Sequence, residues 1–162
     1  MSRAFVKDDD QTGGAVQLSD RPISAGPNLV TPRGLREIER KVDEHRLELA
    51  EATAAGRPEA AARAGRELRY WSARHATAQV VEPPAAVETV VFGVAITGRR
   101  ENGGVLRLRI VGEDEADPTQ GRIAWTAPVA RALMGGEPGE VRDLPTGMVE
   151  IVAIDAEPEP VD

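Results

Sequence analysis

Two short stretches of one periodicity, separated by a stop and a start, constrain this chain more than anything else in it. Leu35, Ile38, Val42, His45, Leu49 and Ala52 follow one another at steps of 3, 4, 3, 4 and 3. Ala61, Ala64, Leu68, Trp71, His75 and Ala78 repeat that pattern. A seam of this period belongs to a helix that packs along a partner. Between the two seams stand Gly56, which ends a helix readily, and Pro58, which is suited to the first turn of the next. Two equal seams joined by so short a turn fold back as an antiparallel coiled-coil hairpin. Thr31 and Pro32 supply a cap and a first helical residue for its opening helix. A turn centred near Arg57 puts Val42 opposite Trp71 and Ile38 opposite His75. It also separates His45 from His75 by about two turns, too far for a shared metal.

The hairpin ends at Pro83 and Pro84, which forbid a helix and mark a linker. Beyond them VETVVFGVAIT, VLRLRIVG, GRIAWT and GMVEIVAID are β-branched runs set off by Gly, Pro, Asn and Asp. One helical stretch, APVARALMGG, interrupts them, with Pro128 near its start and Gly135 or Gly136 past its end. The expected fold class is therefore α+β: an N-terminal helical hairpin followed by a small antiparallel β domain with one helix. The expected divisions are an extended or disordered arm over 1–30, the hairpin over 31–81 and a linker over 82–87. The β domain follows over 88–155, with a flexible acidic tail over 156–162.

Charge separates these parts. Of the net −7, residues 1–30 carry −1, residues 31–81 carry +2 and residues 82–162 carry −8. An acidic C-terminal half is repelled by a phosphate backbone, which disfavours a free-standing DNA or RNA binder. Aromatic residues are only 3% of the chain, too few for base-stacking platforms. The absence of cysteine removes thiol nucleophiles and thiolate metal sites and agrees with a reducing cytosol. No export signal and no run of apolar residues long enough to span a bilayer is present, so the chain reads as cytoplasmic and without a membrane partner.

Few residues offer chemistry. Nothing resembles a nucleophile elbow or a fixed triad, so no catalytic residue is assigned. The densest carboxylates are Glu113, Asp114, Glu115 and Asp117 in GEDEADP. They lack the Gly-centred pattern of a calcium loop, read as a solvated turn, and give no metal assignment. Arg57, Arg63, Arg66, Arg69 and Arg74 make the second helix basic, either as solvated charge or as a face for an acidic partner.

The order of these parts resembles the GreA/GreB family of bacterial transcription elongation factors. The resemblance rests on TPRGL, TAQVV, VVFGVAIT, RIVGEDEADPTQGRIAWTAPVARALMGG and the final VEIVAI, and runs from about Thr31 to Ile154. It implies that the β domain is FKBP-like and docks at the rim of the secondary channel of RNA polymerase, while the hairpin enters that channel. Nucleic acid is then met only indirectly, inside the elongation complex. Asp114, Glu115, Asp117, Pro128, Ala130 and Arg131 match the family's most recognisable loops and are the implied docking residues, while Glu51, Arg57 and Glu59 stand at the hairpin tip.

Members of the family place an Asp-Leu-x-Glu-like pair of carboxylates beside the polymerase's catalytic magnesium, because a second divalent ion needs hard oxygen ligands to activate water. The tip ATAAGRPEAAAR lacks that motif, and the hairpin falls short of the family pattern by roughly two and a half turns per helix, or ~13 Å. The expectation is a polymerase-binding elongation regulator that acts as a monomer, with weak or no stimulation of transcript cleavage. It is not itself an enzyme and carries no cofactor, the polymerase's Mg2+ entering only if the tip reaches it. Two alternatives stand beside it. One is a true cleavage-stimulating factor using Glu51 and Glu59, and the other resembles the Rnk-like regulators of nucleoside diphosphate kinase. A prolyl isomerase is disfavoured, because such pockets are walled by aromatics and the β domain offers only Phe92 and Trp125.

Overall fold

The computed structural model describes residues 18–159. Strand β1 (Asn28–Val30) leads directly into helix α1 (Pro32–Ala54). Thr31 caps that helix as its sequence requires: its hydroxyl accepts from the Gly34 N–H at 3.0 Å, and Pro32 takes the first helical position. Helix α1 stops at Ala55–Arg57, where Gly56 adopts φ +63° and the Arg57 N–H bonds back to the Ala52 carbonyl. Helix α2 (Pro58–Thr77) returns along α1, and strand β2 (Ala78–Val80) then pairs in parallel with β1. The helical pair is thus the crossover of a small β-α-α-β unit, closed at its base by two strands.

The register of the hairpin follows from its turn. Leu49 faces Gly65, and Glu39 lies 3.7 Å from His75. Small residues fill the seam near the tip, where Ala52 and Ala64 are buried, and Ile38 is buried near the base. His75 departs from the expected seam: its side chain is half exposed beside Glu39. The position buried instead is its neighbour Arg74.

Five strands form the second sheet: β3 (Ala95–Arg100), β4 (Val105–Val111), β5 (Arg122–Ala124), β6 (Val141–Leu144) and β7 (Gly147–Asp155), in the order β5-β4-β3-β7-β6. Helix α3 (Pro128–Leu133) closes one face over a core of Val90, Phe92, Val94, Ile96, Ile110, Ala130, Leu133, Leu144, Val149 and Ile151. That core is aliphatic but for one ring, as the composition demanded.

The structure corrects the expected sheet in two places. The strand read from VETVVFGVAIT begins only at Ala95, because Gly93 turns the chain at φ +89° while Val90 is held by bonds to Gly135 and Gly136. The sheet is also mixed rather than antiparallel, since β5 runs parallel to β4. The two strands are joined by one-turn helices at Glu113–Glu115 and Pro118–Gln120.

Both ends differ from expectation as well. Residues 1–17 of the arm and 160–162 of the tail lie outside the described residues. The rest of the arm is neither separate nor loose: Asp20 and Arg21 pair with α2, and Asn28–Val30 is a strand. In the tail, the Glu159 carboxylate sits within 3.3 Å of Arg33, 3.5 Å of Arg122 and 3.7 Å of Arg109.

Candidate functional site

The acidic turn lies where the hairpin meets the β domain. Gly112 leads out of β4 into the one-turn helix Glu113–Glu115, whose three side chains face three sets of partners. Asp114 points at α2 and accepts from Arg74 Nε at 2.5 Å and from the Tyr70 hydroxyl at 2.5 Å. The Arg74 side chain is 2% exposed and that of Asp114 8%, so this is a buried ion pair joining the two parts of the molecule. Glu113 receives the other end of the guanidinium at 3.4 Å.

Glu115 points at the start of α1. Its carboxylate accepts from the Thr31 N–H at 3.0 Å, from the Gly112 N–H at 2.9 Å and from the Thr31 hydroxyl, with Arg122 at 3.5 Å. With 1% of its side chain exposed, it satisfies donors that would otherwise be buried without partners. The Thr31 hydroxyl, in turn, still caps α1.

The residues implied for docking therefore divide into two sets. Asp114 and Glu115 are corrected: both are committed to the interior joint and offer no free carboxylate to another molecule. Ala130 is corrected too, being 1% exposed in the core beneath α3. Pro128 and Arg131 stand exposed on α3, and Arg131 has no ion pair among the described residues. Asp117 is at the surface, accepting from the Thr119 N–H at 3.0 Å and the Thr119 hydroxyl at 2.5 Å. The hydroxyl bond is the main reason its carboxyl is held below the usual carboxylate range.

At the other end of the molecule Glu51, Arg57 and Glu59 are all exposed, and none has an ion pair among the described residues. The two carboxylates belong to different helices, Glu51 in the last turn of α1 and Glu59 in the first turn of α2. Among the described residues no three metal-ligating side chains cluster. The tip presents mixed charge around a cationic turn.

Sequence reasoning missed Tyr70 and Arg74, which complete the joint. Arg74 lies between two seam positions and read as one more arginine of a basic helix, solvated or facing an acidic partner. Its partner is forty residues away, so no local pattern announces it. Tyr70 gives the joint a spectroscopic reporter: burial and the bond to Asp114 push its phenol up to about 12. Because this exceeds the unfolded value of about 10, the neutral phenol's contribution to stability is whole below pH 10 and disappears as pH climbs toward 12. Tyr70 is the chain's single tyrosine. Its phenolate absorbance should accordingly titrate near 12, and Asp114→Asn should shift that midpoint down.

Residues 84–156 match the protein family described as transcription elongation factor, GreA/GreB, C-terminal. The chain is 34% identical over 96 residues to transcription elongation factor GreB of Neisseria meningitidis serogroup B, a match covering 57% of this chain and 59% of that protein. It is 40% identical over 84 residues to transcription elongation factor GreA of Verminephrobacter eiseniae, covering 48% of this chain and 53% of that protein. The chain thus spans between half and three fifths of the length of these relatives. Among solved structures, the GreA factor homolog 1 protein of Thermus thermophilus superposes at a TM-score of 0.39 with 22% identity, covering 80% of this chain and 99% of that one. The acidic turn, β5 and α3 all fall within the matched segment, so it is in its C-terminal domain that this chain is similar to the GreA/GreB transcription elongation factors.

Proposed function

We propose that this protein is a monomeric regulator of transcript elongation that binds bacterial RNA polymerase, occupying the secondary channel without lending it a catalytic metal ligand. The C-terminal domain, FKBP-like in this reading, docks at the channel rim through Pro128, Arg131 and Asp117. The hairpin, a short antiparallel coiled coil of the kind that heptad seams form, points inward. The observation that carries the reading is the tip: two exposed carboxylates on separate helices, with Arg57 between them. A second divalent ion beside a nucleic-acid phosphate needs convergent hard oxygens at about 2–2.6 Å. A cationic turn at the leading edge opposes that convergence. Reach supports the same conclusion, since α1 has 23 residues and is about 35 Å long.

Co-elution with core polymerase, followed by RNA hydrolysis in a stalled elongation complex, tests both halves. The protein should co-elute and leave hydrolysis at the polymerase's own rate, with or without Glu51→Ala plus Glu59→Ala. Failure to co-elute, where a Gre factor does, removes the partner. Cleavage that rises with the protein and vanishes in the double variant would make Glu51 and Glu59 ligands and turn the occupant into a co-catalyst.

A further inference from the structure

Residues 20–28 run along the outside of α2 and reach the acidic turn, so one short segment touches both the hairpin and the β domain. Asp20 accepts from Arg69 Nε at 2.7 Å. The Arg21 guanidinium lies 3.7 Å above the Tyr70 ring, 5.6 Å from Trp71, and donates to Glu67 at 2.6 Å. Ser24 then donates to Glu113 at 2.5 Å, to the same carboxylate oxygen that Arg74 approaches from α2. Asn28 ends the run, its amide donating to the Arg74 carbonyl at 2.7 Å. The partners on α2 thus run from Glu67 to Arg74, and two residues within that span, Tyr70 and Arg74, make the buried joint.

From these contacts we infer that residues 20–24 are a releasable strap that restricts the direction of the hairpin relative to the C-terminal domain. Beneath the strap, α1 and β1 touch the acidic turn, α2 reaches it through Tyr70 and Arg74, Arg122 approaches Glu37 at 3.6 Å, Glu159 joins Arg33 to Arg122, and Leu29 and Val81 pack on the β-domain core. The strap spans the joint on its outer side, so tilting that opens this side must first break Ser24 from Glu113 or lift Arg21 from Tyr70. Its own contacts are partly exposed ion pairs, a cation–π stack and one hydroxyl bond, each individually weak. They hold together because Asn28 and β1 tether the segment beside its binding groove. Such a segment opens locally without unfolding what it covers.

The absence of cysteine allows the test in the full chain without background labelling. Spin labels on Arg63→Cys near the tip and Glu101→Cys in the β3–β4 turn, both exposed positions, report the distance between the hairpin and the β domain by double electron–electron resonance. The strapped chain should give one narrow distribution. Arg21→Ala with Ser24→Ala should widen it at least about twofold or add a second distance, while far-ultraviolet circular dichroism stays unchanged. Ser24→Ala alone deletes one exposed hydroxyl, leaves the fold intact, and should widen the distribution by a smaller amount. Distributions that match the parent in the single variant and in any folded double variant would overturn the strap.

Discussion

Arg74→Ala should lower the unfolding free energy by about 3–5 kcal/mol, a large part of the roughly 5–15 kcal/mol that holds a domain of this kind together. The reason is what remains behind. Asp114, 8% exposed, would lose its counter-charge in a joint closed by α1, α2 and the acidic turn, with Tyr70 as its one remaining side-chain donor. A lone buried carboxylate costs far more than the ion pair was worth, because desolvation is no longer offset by a nearby guanidinium. Asp114→Ala leaves the buried Arg74 with Glu113, at 3.4 Å, as its one remaining carboxylate. Replacing both, Arg74→Met with Asp114→Leu, should cost less than either single change, since the one charge then left without its partner, Glu113, is 26% exposed. A urea-unfolding double-mutant cycle measures this coupling directly. Additive single effects would show that the pair is not the buried joint described here.

Gly34→Ala should also destabilise, by roughly 2–4 kcal/mol, although an alanine inside a helix is ordinarily favoured over glycine by about 1 kcal/mol. A Cβ built on Gly34 stands 2.1 Å from Glu115 Cδ and 2.4 Å from one of its carboxylate oxygens. Glu115 has nowhere to go: moving it releases the buried N–H groups of Thr31 and Gly112 and draws its charge from Arg122. Gly65, in the second helix, is the internal control. Its Cβ would meet nothing nearer than Arg69 at 3.6 Å and Leu49 at 3.9 Å, so Gly65→Ala should stabilise by about 0.5–1 kcal/mol. Opposite signs for one chemical change at two helical glycines, read from urea midpoints, isolate the contact between α1 and the acidic turn. Equal signs would mean that Glu115 yields easily and is not a fixed support.

Much of the architecture was legible because it is local. The 3-4 periodicity, Gly56 and Pro58 define two helices and the turn between them, Thr31 and Pro32 define their start, and Pro128 opens α3. Alternation in Val105–Ile110 and Met148–Ile154 marks β4 and β7. The acidic turn and α3 were legible as family loops but not as surfaces, for burial depends on what packs against a residue. Ala130 faces the core because α3 lies on the sheet, a fact its six residues do not contain.

The chain by itself determined the helical hairpin, its mixed-charge tip and the family resemblance of its C-terminal domain, since each depends on spacing or motif within one short segment. Only the tertiary structure decided that Asp114 and Glu115 hold the joint, that Arg74 is buried, that β5 runs parallel to β4, and that Asp20–Ser24 lies along α2. Those outcomes join residues seven to almost ninety positions apart, Glu115 with Arg122 at one extreme and Ser24 with Glu113 at the other. An ionisable side chain carries no local mark of its partner. Whether it faces water or a buried counter-charge depends on which distant segments the fold brings to it, and on the desolvation cost that their pairing offsets.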